Sequence, residues 1–411
     1  MTDIKRNLYD KINRLLAIFP VVMVVGARQT GKTTLSRMAR PDWRYFDLEK
    51  ASDYNFISQD YDFFFSEYPR NIIIDEAQEA PVLFRQLRGI IDANRKETGR
   101  FILTGSSSPD LLAQASDSLA GRIAVIELGT LKMNEIQQRP LPPFYRIFEQ
   151  ELNKESLTTI KTLDCLVADV IPFFLRGGYP EPVLGGDDYA YAEWMENYYQ
   201  TYINRDIKRL FPRLDAIRYR RFVAMLSSLS GTIVNKAQLG RSVDVSEVTI
   251  RDYLEIADKT YFWRTIPSYE ASPSKSLVKM PKGIVRDSGI NNYLSGIDGR
   301  EKLLRSPQVG QNFEAFVIEE IIKGLQASSV TRWDYFYFRT KNGAEVDLIL
   351  EGSFGTLPIE IKLGRQTTLR QLTSLQQFVK RNNLPFGIII NNSIEVRMLG
   401  ENVVQLPAGC I

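Results

Sequence analysis

The sequence predicts a multidomain α/β protein, and three observations carry that expectation. Apolar runs near residues 20–25, 71–75 and 101–105 are continuous rather than alternating, as strands buried on both faces of a parallel sheet require. Helix-like and strand-like segments alternate again between residues 311 and 391. The 411 residues, at roughly 100–200 residues per domain, fill two to four domains, each with a core of its own.

Composition excludes several classes. With 44% hydrophobic and 25% charged residues the chain lies outside the disordered and low-complexity groups. The 52 Lys and Arg against 49 Asp and Glu leave a formal +3, too even a balance to imply a nucleic-acid or membrane partner, so only local clusters inform. Histidine is absent, which removes the usual neutral-pH base and a frequent zinc ligand. Ser-His-Asp hydrolysis, Cys-His proteolysis and H-E-x-x-H metal sites go with it. Cys165 and Cys410 are too few for a four-cysteine zinc site or a disulfide framework, and are expected to be free thiols of a cytoplasmic protein. Residues 15–27 are mostly apolar and follow basic ones, but they contain Pro20 and run into a glycine-rich turn. They read as a buried strand rather than a signal peptide. No apolar run approaches the roughly 20 residues that span a bilayer, so no membrane is expected as a partner.

The first strand runs into Gly26-Ala27-Arg28-Gln29-Thr30-Gly31-Lys32-Thr33-Thr34, and a helical segment follows. Glycines at the first and sixth positions let successive backbone N–H groups wrap phosphates, and the helix offers its positive end. Lys32 is placed to neutralise β/γ charge and Thr33 to give a hydroxyl to Mg²⁺, so the loop is a P-loop for ATP. The next buried run ends in Asp75-Glu76, at the carboxyl edge where a parallel sheet places its ligand. Asp75 is expected in the Mg²⁺ shell, and Glu76 is expected to polarise the attacking water. The run 101–105 leads to Ser106, whose hydroxyl is a candidate sensor of the γ-phosphate. Arg122 follows a helix expected at 110–119 and opens another strand. Two readings stay open for it: a phosphate contact, in its own subunit or as a finger in a homo-oligomer, or a solvated arginine.

These motifs, with Tyr45-x-Asp47-Leu48-Glu49, S-L-A-G-R at 118–122, Tyr202-x-x-Arg205-Asp206-Ile207 and Arg286-Asp287-Ser288-Gly289, resemble bacterial and archaeal AAA-type ATPases. Members of that group carry a C-terminal domain of unknown function related in fold to restriction endonucleases. The resemblance implies an AAA-type P-loop domain over 1–138, and it covers nearly the whole chain.

A Pro-rich stretch at residues 139–143 and an amphipathic segment at 189–208 suggest a linker and helical connector over 139–210. Residues 202–222 hold seven Lys or Arg against Asp206 and Asp215, with Tyr202, Phe211 and Tyr219 interleaved. That pattern suits a nucleic-acid backbone, although a solvated helix face explains it more simply. Residues 211–305 follow a winged helix-turn-helix plan with Ser246 as an N-cap. The helix 246–259 nets −2, which argues against reading DNA with it; Lys275, Lys279, Lys282 and Arg286 make the wing side the better basic surface.

From residue 306 to 411 the expected order is helix 311–325, strands 333–339, 345–351 and 357–363, helix 367–381 and strand 385–391. This resembles the PD-(D/E)XK nuclease core, a restriction-endonuclease-like α/β domain. Asp347 lies on the second strand, and Glu360 and Lys362, two apart, share a face of the third. Glu314 falls on the inward stripe of the helix, and Glu345 shares the face of Asp347. Asp347 and Glu360 are the expected metal ligands, with Glu314 completing the site and Lys362 stabilising negative charge on a scissile phosphate. The same carboxylates in an inert scaffold would simply pair with Arg and Lys neighbours. The expected function is therefore Mg²⁺-dependent ATP hydrolysis that gates a nuclease acting on DNA or another nucleic acid; the alternative is an ATP-driven signalling or scaffold protein that binds a protein or nucleic-acid partner.

Overall fold

Residues 15–27 divide between two elements instead of forming one strand. The computed structural model describes residues 4–106, 117–163, 165, 167–269, 280–340, 344–367 and 369–411, the side chains of 369–371 excepted. A helix, Leu8–Leu16, buries Leu8, Ile12 and Leu16 at four-residue spacing, and β1 (Val21–Val25) starts after Pro20. Proline ahead of a strand sacrifices no ladder hydrogen bond. Strands β2 (Arg44–Asp47), β3 (Ile72–Asp75), β4 (Phe101–Gly105) and β5 (Ile123–Glu127) join β1 in a parallel sheet of order β2-β3-β4-β1-β5. Every residue of β1, β3 and β4 is buried, which explains why these runs are apolar without alternation. Met23, Ile74, Phe84, Leu87 and Leu103 share the core of this unit, which runs to Leu131 and includes Lys259–Tyr261. The helix expected at 110–119 lies outside the described residues as far as 116; residues 117–119 are helical.

The second unit comprises Lys132–Asp258 and Phe262–Ile411. A helix at Asp188–Thr201 continues through a π-helical turn, Tyr202–Ile207, into Lys208–Leu210. Helices Ala216–Leu229, Lys236–Val243 and Glu247–Lys259 follow, each with a side-chain N-cap: Asp215 accepts from Ile217 N (3.0 Å), Asn235 from Gln238 N (3.0 Å) and Ser246 from Thr249 N (3.1 Å). Strands β6 (Thr232–Ile233), β7 (Trp263–Ile266) and β8 (Lys282–Val285) form an antiparallel sheet of order β6-β8-β7. The seven basic residues between 205 and 221 are exposed, but Tyr202 and Tyr219 are buried in this core. Buried rings offer no stacking face to bases, so the interleaving belongs to packing.

The wing-side basic surface is corrected at two of its four residues, Lys282 and Arg286. Lys275 and Lys279 lie outside the described residues, while Lys282 and Arg286 are drawn inward to carboxylates, Lys282 to Glu314 and Arg286 to within 3.7 Å of Glu319. Charge counted along a strand does not tell which face of it is covered.

The helix Val309–Ala327 is buried on nearly all sides and packs Phe313, Val317, Ile321 and Leu325 into the largest core. It precedes β9 (Trp333–Arg339), β10 (Glu345–Gly352), β11 (Gly355–Lys362), the helix Leu369–Arg381, β12 (Gly387–Asn391), β13 (Arg397–Met398) and β14 (Val403–Pro407). The sheet order is β13-β14-β12-β11-β10-β9, antiparallel through β9, β10 and β11 and parallel through β11, β12 and β14. Strands β13 and β14 extend the pattern expected from the sequence.

Cys165 and Cys410 are joined as a disulfide, against the expectation of free thiols. The chain end folds back so that Val167 N donates to Gly409 O at 3.2 Å, which brings the two cysteines together across 245 residues. A count of two said nothing about that proximity. Among the described residues no helix is long and apolar enough to cross a membrane.

Gly283 of β8 has no room for a side chain, since a Cβ there would lie 2.1 Å from Trp263 Cζ2. Gly283→Ala is expected to destabilise the second unit by roughly 1–3 kcal/mol through overpacking, read as a lower urea midpoint with an unchanged m-value.

Candidate functional site

The parallel register puts the carboxyl ends of β1, β4 and β3 side by side, with β4 in the middle. The loop after β1 is shaped by close approach. Gly26 has φ +151° and a Cβ would sit 2.2 Å from Leu128 O, so only glycine fits; Gly31 at φ +90° starts the helix Lys32–Ala39. Thr30 Oγ1 donates to Ala27 O at 2.9 Å and closes the loop on itself. Gln29 and Thr34 are exposed on the loop and first helical turn, and Arg28 pairs with Glu49 at 3.1 Å. Arg6 donates to Thr30 O (2.7 Å) and Gly129 O (2.8 Å), tying the loop to the segment after β5. No motif in the sequence marked Arg6.

Lys32 is buried, and its ammonium donates to Ala27 O (2.8 Å) and Gly26 O (3.2 Å). Asp75 is a point of convergence. Its Oδ2 accepts from Thr33 Oγ1 (2.6 Å) and Tyr45 OH (2.7 Å), and its Oδ1 accepts from Thr104 Oγ1. Burial and the bond to Asp75 raise the Tyr45 phenol above its ordinary range, so it stays a donor. Tyr45 and Thr104 were not singled out for a role, although Tyr45 opens a recognised landmark and Thr104 ends a buried strand. Glu76 adopts a left-handed conformation (φ 53°, ψ 49°) with its N–H on Thr104 Oγ1 at 3.1 Å. Its Oε2 accepts from Ser106 Oγ at 3.0 Å and from Gln78 Nε2. Thus Thr33, Asp75, Glu76, Ser106 and the loop are gathered at one edge.

Arg122 is not among them. It precedes β5, whose parallel pairing sets Ile123 against Val21 and Glu127 against Val25. Five residues at roughly 3.3 Å each put Arg122 about 17 Å along the strands from the loop, at the opposite edge. There it forms a two-point ion pair with Asp92, Nε to Oδ1 at 2.8 Å and Nη2 to Oδ2 at 2.9 Å. The expectation of a contact within its own subunit is corrected accordingly.

The second candidate site lies in the C-terminal sheet. The pairing of β10 with β9 slips between Val346 and Ile349, so Asp347 lies at a register shift in that pairing. Asp347 Oδ2 accepts from Ile361 N (2.8 Å) and Lys362 Nζ (2.9 Å), and the same ammonium is 2.9 Å from Glu360 Oε1. Glu360 is pushed up to about 8 by burial and by the neighbouring Asp347, and among the described residues its Oε2 has no hydrogen-bond partner. Burial opposes the charge on Lys362, but Asp347 and Glu360 outweigh it and hold its pKa above the ordinary value. Glu314 is paired with Lys282, which also lies 3.8 Å from Glu345; Arg339 is 3.9 Å from Glu345 on the other side. A cleft of about 440 Å³ opens among Thr232, Gln311, Glu345 and Lys362. Among the described residues no group of three or more Asp, Glu or Cys side chains is placed to hold a metal ion.

The sheet, the phosphate loop and the paired acids define an AAA-type ATPase domain, and residues 19–137 match the family described as AAA domain. Residues 168–301 and 309–411 match domains of unknown function, DUF8612 and DUF4143. Uncharacterized protein Rv2008c of Mycobacterium tuberculosis is 33% identical over 407 residues, spanning 98% of this chain and 83% of its own length; Uncharacterized protein Mb2031c of Mycobacterium bovis matches to the same extent. The chain belongs to the family of these mycobacterial proteins. Among solved structures, the Walker-type ATPase paby2304 of Pyrococcus abyssi aligns with 70% of this chain and 94% of its own at 14% identity, with a TM-score of 0.42.

The raised Glu360 carboxyl has a consequence for stability. Its proton is held more tightly in the folded chain than at the ordinary value of 4.5, so its contribution is full below pH 4.5 and is lost as pH rises through about 8. Glu360→Gln is expected to flatten this fall in stability, measured by urea unfolding at intervals across that range.

Proposed function

We propose that this chain binds ATP with Mg²⁺ at the phosphate loop, hydrolyses it, and uses the nucleotide state to control the domains that follow. The hydrogen bond of Thr33 to Asp75 carries the reading, because it sets side by side the hydroxyl and the carboxylate that a phosphate-bound Mg²⁺ requires. The donor set fits that ion, which takes few protein ligands and keeps water and phosphate oxygens for the rest. When bound, Mg²⁺ supplies charge neutralisation at the β- and γ-phosphates. Gly26, Ala27, Arg28, Gln29, Thr30, Gly31 and Thr34 supply the loop around the phosphates, and Lys32 turns its N–H donors from Gly26 O and Ala27 O to phosphate oxygens. Glu76 orients the attacking water and takes its proton, held in place by Ser106 and Gln78. The phosphate role left to Arg122 is that of a finger to a neighbouring copy in a homo-oligomer.

The rear of the chain is proposed as a helical connector (139–210), a winged helix-turn-helix domain (211–305) and a nuclease-like domain (306–411), behind an ATPase domain over 1–138, in a cytoplasmic protein. The gathering of Asp347, Glu360 and Lys362 at one place on the sheet supports the nuclease-like reading, whose proposed action is on DNA under the control of ATP. The pairing of Glu314 with Lys282 favours the second reading, an ATP-driven signalling or scaffold protein whose C-terminal domain binds a protein or nucleic acid without cutting it.

Phosphate release tests the first part. Lys32→Ala is expected to abolish ATP binding, and Glu76→Gln to retain binding while lowering turnover by about 10²–10⁴-fold, the usual worth of a positioned general base. Unchanged turnover in Glu76→Gln would remove the assigned role. For the rear domain, labelled single- and double-stranded DNA and RNA are incubated with Mg²⁺ or Mn²⁺, with and without ATP. Cleavage lost in Asp347→Ala establishes the nuclease; no cleavage in any condition, with ATP hydrolysis intact, selects the scaffold.

A further inference from the structure

The C-terminal carboxylate cluster contains a cation of its own. Lys282 is carried by β8, outside the sheet that bears Asp347 and Glu360, and its side chain is only 2% exposed. Its backbone is held on every side. Lys282 pairs with Ile233 of β6 and Ile266 of β7, Val234 N donates to Pro281 O at 3.0 Å, and Tyr337 OH donates to Met280 O at 2.6 Å. The strand that delivers this ammonium is therefore fixed, and the side chain is no surface lysine that swings aside into water.

We propose that Lys282 is the resident cation of this cluster, standing where a divalent metal would have to bind, so that the C-terminal cleft keeps its charge balance without a metal. The proposal deepens the second reading above and rests on it. Each carboxylate a metal would use already has a partner: Glu314 and Glu345 face Lys282, Asp347 accepts from Lys362 and from Ile361 N, and Glu360 shares Lys362. A buried ammonium is strongly unfavourable unless carboxylates surround it, and the same carboxylates uncompensated would repel one another. Three cationic side chains (Lys282, Lys362, Arg339) thus face the four carboxyl groups of Glu314, Glu345, Asp347 and Glu360 within a few ångströms. A magnesium-sized ion needs near-octahedral oxygen ligands at about 2.0–2.1 Å, a shell that the Lys282 ammonium occupies and repels. The residues present do not fit a catalytic metal, and the cleft is a binding site rather than a cutting one.

The test counts Mn²⁺ bound per nucleotide-free full-length chain by electron paramagnetic resonance, with ATP hydrolysis read on the same samples. Native protein and Asp347→Asn are expected to bind equal amounts. Lys282→Met, which removes the charge and keeps the volume, is expected to gain one Mn²⁺ that the double variant with Asp347→Asn loses, whereas Lys282→Arg gains none. An extra Mn²⁺ in the native chain that Asp347→Asn removes overturns the proposal, and so does a folded Lys282→Met, with ATP hydrolysis unchanged, that gains none. Should Lys282→Met not fold, the comparison of native with Asp347→Asn decides alone. Absence of ATP hydrolysis in the native chain would count against the ATPase reading and leave the Mn²⁺ count to settle the role of Lys282.

Discussion

The parallel register that sets β4 between β1 and β3 is the constraint on which the nucleotide site depends. At the carboxyl edge of the sheet one buried carboxylate, Asp75 of β3, meets three hydroxyls: Thr33 from the helix after β1, Thr104 from β4 and Tyr45 from β2. A carboxylate buried to this degree is tolerable only with its acceptor positions filled. Those donors fix its orientation before any ligand arrives, which is the preorganisation that electrostatic catalysis requires. Glu76, one residue on, has a left-handed backbone; its N–H shares Thr104 with Asp75, while its carboxylate meets Ser106.

The C-terminal domain solves a different electrostatic problem with similar residue types. Its carboxylates face lysines rather than hydroxyls, so attraction between full charges replaces hydrogen bonding to neutral donors. Strands β10 and β11 bring Asp347 to Lys362, and β8 brings Lys282 to Glu314. The contrast follows from which strand supplies the partner, since the acids themselves are alike.

Much of this was legible in the sequence because it is local. Continuous apolar runs marked the strands buried on both faces, the Gly26-to-Thr34 spacing marked the phosphate loop, and two-residue spacing placed Glu360 and Lys362 on one face. Features that join distant segments were not legible. Arg6 bracing the loop, Tyr45 and Thr104 on Asp75, and the disulfide between Cys165 and Cys410 all depend on approach in space. The same blindness bears on two basic residues: one of the two readings of Arg122 set it toward the phosphates, and Lys282 was read toward solvent, where the register and the covered face of β8 decide otherwise.

By itself the sequence determined the elements and the chemical types, since periodicity, glycine placement and acid pairs are written along the chain and act over a few residues. Only the tertiary structure decided which charges meet. An ammonium or a carboxylate has no fixed role until burial removes its water, and the partner that then replaces water is chosen by strand order and packing, which no short stretch of sequence contains.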